Sequence, residues 1–145
     1  MKSILRSVAA LCVAAVVSIG LMPAAHADAP LEIGGAKTVD AAAVIELVQS
    51  NPSLVILDNR KEADFNAGHI QGAVRLIDTD MTSPDVLAKV VPAKDTPVLF
   101  YCNGLKCGRA AAASKLAVEW GYGNVFYYAK GMEEWRAEGL PVDIR

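Results

Sequence analysis

The apolar run Pro97-Val98-Leu99-Phe100-Tyr101 ends in Cys102, and an alanine-rich stretch begins at Ala110. Between them lies the loop Cys102-Asn103-Gly104-Leu105-Lys106-Cys107-Gly108-Arg109. A buried strand running through a short glycine-bearing loop into a segment of high helix propensity is a βα unit. Other apolar runs and helix-forming stretches repeat that alternation along the chain, which implies an α/β domain with a central parallel sheet. In such sheets ligands bind beyond the carboxyl ends of the strands, which is where Cys102 falls. The first turn of a helix offers unpaired N–H groups and partial positive charge, both of which favour a thiolate and a neighbouring anion. The competing reading is a small apolar residue capping a strand.

The elements follow from local signals. Asp40 reads as the N-cap of a helix through about Gln49, and Asn51-Pro52-Ser53 stops it. Leu54 to Leu57 is a short apolar run with β-branched residues, expected as a strand buried on both faces. Lys61 to Ala67 reads as a short helix, Ala73 to Leu76 as a strand, and Ser83-Pro84 as the start of a helix to about Val91. The strand at Pro97 to Tyr101 and a helix at Arg109 to Trp120 follow. Val125 to Tyr128 reads as the last strand and Met132 to Glu138 as the last helix. Residues 28–36 read as a polar lead-in, loosely ordered at its start, to a domain spanning 37–145.

The first 27 residues have the pattern of a secretory signal. Lys2 and Arg6 form a basic start, Val8 to Leu21 is apolar, Pro23 breaks the run, and Ala25-His26-Ala27 supplies a small-x-small cleavage site. The run falls short of the ~20 residues of a spanning helix, and the residues before Cys12 make a poor lipobox. Cleavage after Ala27 and release to the periplasm or the outside are expected. Losing Lys2 and Arg6 from 14 basic residues leaves 12 against 16 acidic ones, a net charge near −4. That balance, without a basic run, argues against nucleic acid or an anionic membrane as partner.

Cleavage would also leave two cysteines, Cys102 and Cys107, and one histidine, His69. A bridge between cysteines five positions apart staples almost nothing, so a disulfide there points to redox chemistry rather than architecture. One histidine and two cysteines do not make a zinc site, and no cofactor is implied. Cys107 reads equally as a sulfur or disulfide partner of Cys102 and as a bystander. A cation is not favoured at a helix start, so Arg109 there hints at an anionic ligand; Lys106 is either a ligand contact or a solvated charge. Asp58 reads as a salt-bridge partner ordering the loop after its strand, and Arg60 as either its mate or a ligand contact. His69, in a turn bracketed by Gly68 and Gly72, reads as structural support for backbone groups. The aromatic residues Tyr101, Tyr122, Phe126, Tyr127 and Tyr128 read as packing near the sheet edge and helix ends.

Four segments together resemble the rhodanese-like domain, the fold of the thiosulfate and mercaptopyruvate sulfurtransferases. They are Leu57-Asp58-Asn59-Arg60 with Glu62, Asp64 and Phe65; Gly68-His69-Ile70-Gln71-Gly72-Ala73; the Cys102 loop; and Gly131-Met132-Glu133-Glu134-Trp135 with Gly139-Leu140-Pro141-Val142. The resemblance implies a three-layer fold, a mostly parallel sheet flanked by helices. It makes Cys102 the nucleophile that takes sulfane sulfur from thiosulfate or a similar donor and holds it as a persulfide. A thiol, a cyanide-like acceptor or a periplasmic protein would receive the sulfur. Asn103, Gly104, Leu105, Lys106, Cys107, Gly108 and Arg109, with Arg60, are the expected substrate-binding residues. One feature departs from the family. Many active single-domain members carry an arginine five positions after the cysteine, where this chain has Cys107, and Arg109 stands seven after Cys102. Phosphatases and arsenate reductases of the fold have an enlarged loop with arginine six positions on, and this loop matches neither count. Sulfur transfer is the leading expectation. A non-catalytic sulfur-carrier or redox module is the alternative, and phosphatase or arsenate reductase chemistry a lesser one.

Overall fold

The computed structural model describes residues 27–145, so the signal segment expected at 1–27 lies, but for Ala27, outside the described residues. Five strands, β1 (Ala36–Thr38), β2 (Val55–Asp58), β3 (Val74–Arg75), β4 (Val98–Tyr101) and β5 (Val125–Tyr128), form one sheet in the order β1-β5-β4-β2-β3. Every pairing is parallel. Five helices accompany them: α1 (Ala41–Ser50), α2 (Glu62–Asn66), α3 (Pro84–Ala88), α4 (Arg109–Glu119) and α5 (Gly131–Ala137), with a 3₁₀ turn at Asp78–Asp80. The expected α/β architecture, a parallel sheet between helical layers, is what the chain adopts.

Alternation along the strands builds two cores, one on each face. Val98 and Phe100 of β4 pack with Leu57, Tyr127, Leu87 and the alanines of α4. Leu99 and Tyr101 point the other way, among Ile56, Val44, Phe65, Met132 and Trp135. All four β4 residues are buried, which is why the strand reads as a continuous apolar run. Helix α4 turns Ala110, Ala111, Ala113, Ser114 and Ala117 to the interior, a small-residue face that lets it lie close on the sheet.

Several sequence readings shift at their ends. The Asp40 cap is present, its Oδ1 accepting from the Ala43 N–H at 2.9 Å. Pro84 opens α3, but Ser83 makes no side-chain cap, and the helix stops at Ala88 rather than near Val91. The lead-in is not loose where it begins. Ala29 and Ile33 are buried, the Ala29 N–H donates to the Leu105 carbonyl at 2.6 Å, and the Tyr127 hydroxyl donates to that of Pro30 at 2.9 Å. Its last residue, Ala36, begins edge strand β1 (Ala36–Thr38), which pairs with β5. Three residues with a lysine among them carry too little pattern to announce a strand. Tyr101 also departs from its expected place near an edge, because β4 is the middle strand.

The register fixes where the chemistry gathers. Asp58, Tyr101 and Tyr128 stand opposite one another across β2, β4 and β5. The loops after those strands therefore emerge side by side at the carboxyl end of the sheet. The chain reverses its direction of growth at β4, the switch point where such sheets open a crevice.

Candidate active site

Below the crevice lies a buried polar network. Asp58, Asn59 and Arg60 have no exposed surface. The Arg60 guanidinium grips Asp58 with Nε at 2.9 Å from Oδ1 and Nη2 at 2.6 Å from Oδ2, and Nη2 also donates to the Gly68 carbonyl at 2.8 Å. The Tyr101 hydroxyl donates to Asp58 Oδ2 at 2.5 Å and accepts from the Ile70 N–H at 3.1 Å. Burial works against the Arg60 charge, but the hydrogen bonds and charge of Asp58 outweigh it and raise its pKa further. Burial, and then Asp58, pushes the Tyr101 hydroxyl far above the ordinary tyrosine range. Arg60 is thus a structural mate of Asp58. It reaches the site only through Nη1, 3.4 Å from Asn103 Oδ1, and does not line the cavity above.

Tyr101 leads directly into Cys102, which is 2% exposed. The Cys102 carbonyl accepts from the Met132 N–H at 3.0 Å and the Asn103 carbonyl from the Glu133 N–H at 2.8 Å. The first turn of α5 is thereby fastened to the loop. Gly131, at φ 52°, permits this approach, since a Cβ there would collide with the Cys102 carbonyl. Asn103 Nδ2 donates to Asp64 Oδ2 at 3.2 Å, tying the loop to α2.

Cys102 and Cys107 are joined by a disulfide, with Cα atoms 6.2 Å apart. The Cys107 N–H donates to the Gly104 carbonyl at 2.9 Å, closing a turn inside the loop. Among the described residues, the N–H groups of Asn103, Gly104, Leu105 and Lys106 meet no acceptor, which leaves them for an anion. Arg109 opens α4 with its Nη1 4.0 Å from Cys107 Sγ and its Nε 3.7 Å from Asp78 Oδ1. Lys106 pairs with Asp28 and is 80% exposed.

Over the loop opens a cavity of about 660 Å3, lined by Asn103, Gly104, Lys106, Cys107, Gly108 and Arg109, and closed by Asp78, Met132, Glu133 and Arg136. Six of the expected binding residues meet there. Leu105 and Arg60 do not: Leu105 turns toward α5 and the lead-in. Three cations face two carboxylates around the cavity. Asp78 and Arg136 escaped the sequence reading; a 3₁₀ turn leaves no periodic signal, and Arg136 lies on α5, far in sequence from the Cys102 loop. His69 does not line the cavity. Its Nδ1 stands 2.9 Å from the Phe65 carbonyl, which can only accept, so Nδ1 carries the proton. Its ring stacks on Phe65 at 3.8 Å, and its backbone exchanges two hydrogen bonds with Asp143.

Comparison with known proteins gives the family. The family model for the rhodanese-like domain matches residues 40–138. The chain belongs to the rhodanese-like domain family. A thiosulfate sulfurtransferase, GlpE of Tolumonas auensis, is 33% identical over 96 residues, covering 66% of this chain and 81% of that protein. An HTH-type transcriptional regulator of Mycobacterium tuberculosis, Rv0324, is 34% identical over 90 residues, 62% of this chain and 38% of its own. The chain spans less than two thirds of the length of the first curated relatives it matches. The fold is shared with the polysulfide-sulfur transferase homodimer of Wolinella succinogenes at a TM-score of 0.63 and 24% identity, over 77% of this chain and 81% of that one. Sulfurtransferases are thus among the relatives of this rhodanese-like chain, beside proteins of other activities.

Proposed function

We propose that this rhodanese-like chain is a sulfurtransferase that moves sulfane sulfur through a persulfide on Cys102. The reading is carried by one arrangement: a cysteine at the end of the central strand, followed by a loop that lines a cavity with Asn103, Gly104, Lys106, Cys107, Gly108 and Arg109. In the reduced protein the Cys102 thiolate attacks the outer sulfur of a thiosulfate-like donor. The donor's sulfur–sulfur bond breaks and sulfite leaves with the electron pair. Thiolate, persulfide and thiosulfate are all anionic, so stabilising them needs donors rather than a general base. That suits a site from which His69 is absent. Arg109 is suited to the sulfonate oxygens, since guanidinium offers paired donors. A thiol, cyanide or a protein acceptor then takes the outer sulfur. Export is part of the proposal, with cleavage after Ala27 and a periplasmic or secreted product.

Thiocyanate formation from thiosulfate and cyanide by the pre-reduced protein tests this. Activity is expected, and Cys102→Ser should lower it on the order of a thousandfold or more. A wild-type protein inactive after reduction would end the reading for thiosulfate. A second reading, a carrier of sulfur or electrons with little turnover of small donors, draws on the Cys102–Cys107 bond. It predicts stoichiometric uptake without multiple turnovers.

A further inference from the structure

We propose that Cys107 is the resolving thiol of Cys102, so that the site releases sulfane sulfur as hydrosulfide and closes the Cys102–Cys107 disulfide as it does so. The inference rests on the persulfide reading above and adds a product and a second substrate class to it, a dithiol reductant.

The bond seen between the two cysteines is the product of that step. A bridge over five positions has little effect on chain entropy compared with a long-range one, so stabilising the fold does not explain it. The loop is already held by other means, through the Met132 and Glu133 N–H groups on one side and Asp64 on the other. Cys107 is also placed for reactivity. It immediately precedes Gly108, the N-cap of the eleven-residue helix α4, and its sulfur lies beside the Arg109 guanidinium at 4.0 Å. Both features favour a thiolate.

The step balances without a further reagent. The Cys107 thiolate attacks Cys102 Sγ, and the Sγ–Sγ bond forms. The bond from Cys102 Sγ to the outer sulfur breaks, and that sulfur leaves with the electron pair and a proton as hydrosulfide. The two cysteines are oxidised by two electrons, and the sulfane sulfur is reduced by two. From thiosulfate the sum is sulfite, hydrosulfide and the disulfide. Turnover then needs a dithiol, which is oxidised to its own disulfide. In the disulfide form the two sulfurs differ in access: Cys102 is 2% exposed, whereas Cys107 lines the cavity. The dithiol therefore attacks Cys107, and Cys102 leaves as the thiolate ready for the next donor.

A single-turnover experiment decides the matter. The protein is reduced with dithiothreitol, freed of it by desalting, and given one equivalent of thiosulfate with no other thiol. Wild type should release about one equivalent of hydrosulfide and show the mass of the disulfide form. Cys107→Ser and Cys107→Ala should instead gain one sulfur atom, about 32 Da, and release less than a tenth as much hydrosulfide. Wild-type protein that keeps the added sulfur and releases no hydrosulfide overturns the resolving role and leaves sulfur transfer standing. If neither wild type nor variants take sulfur, the persulfide reading falls and this inference with it. The wild-type arm is decisive even if a variant folds poorly.

Discussion

Gly131 stands so close to the Cys102 carbonyl that any side chain there would strike it. Its φ of 52° lies in the left-handed region, which a Cβ disfavours as well. The glycine that opens α5 is therefore a spacing element of the active loop, letting the Met132 and Glu133 N–H groups reach the carbonyls of Cys102 and Asn103. Gly131→Ala should displace the loop by a fraction of an ångström to an ångström. Since misplacement of about 1 Å can cost ~100-fold in rate, kcat/KM for thiocyanate formation should fall ten- to a hundredfold. Thermal unfolding should show a loss of about 1–3 kcal/mol from the strained backbone. A variant with wild-type activity would mean that the loop does not depend on this contact.

Asp58 and Arg60 form a buried pair whose remaining valences go to Tyr101 and Gly68. Removing one partner strands a charge in the interior, at a cost of about 3–5 kcal/mol. Arg60→Met should therefore lower urea-unfolding stability by that amount, and Asp58→Asn should act in the same direction. The double variant should lose less than the sum, because neither charge is then left alone. Additive losses would show that the pair acts as two independent residues.

The fold was readable because each buried strand states its environment. The β4 run is apolar at every position and buried at every position, and the Asp40 and Pro84 helix starts carry their own local signals. Cys102, the loop and Arg109 were readable for the same reason, since strand, glycine loop and helix are contiguous. What sequence could not supply was non-local. Asp78 joins the cavity only because a 3₁₀ turn packs beside α4, and Asp28 and Ala29 meet Lys106 and Leu105 of the loop across 78 and 76 positions of chain. Tyr101 looked like packing because nothing local reveals that β2 sets Asp58 beside its hydroxyl. The two readings of Arg60 are separated only by its guanidinium, which turns inward to Asp58 and Gly68.

Arg109 and Lys106 both border the cavity, but only Arg109 is held beside the sulfur. Lys106 reaches outward to Asp28 with most of its side chain in solvent. Charge-assisted hydrogen bonds contribute about 1.5–3 kcal/mol, so Arg109→Gln should lower kcat/KM for thiosulfate roughly 10- to 100-fold. Exposed pairs contribute about 0.2–1 kcal/mol, so Lys106→Gln should lower it no more than about fivefold. Steady-state kinetics at constant ionic strength would separate the two, and an equal fall in both variants would contradict the assignment of Arg109.

The Tyr101 hydroxyl gives the fold a pH dependence on the alkaline side. Burial, and then the Asp58 carboxylate, raises its pKa far above the 10.0 of a free tyrosine; Tyr128 shifts the same way, through burial and then Glu134. Above about pH 10 the unfolded chain sheds these protons while the folded chain keeps them. The unfolded state then binds fewer protons, so stability falls as pH rises. The contribution is complete below about pH 10 and declines above it by roughly 1.4 kcal/mol per pH unit for each tyrosine. Burial raises Tyr122 and Tyr127 as well, and Tyr101→Phe removes one of these four contributions. It should be less stable than wild type at pH 7 by about 1–3 kcal/mol, because Asp58 loses a donor. Between pH 10 and 11.5, however, its unfolding free energy should decline less steeply than that of wild type, by roughly that same slope. Parallel declines in urea titrations across this range would mean that the Tyr101 proton is not held by the fold.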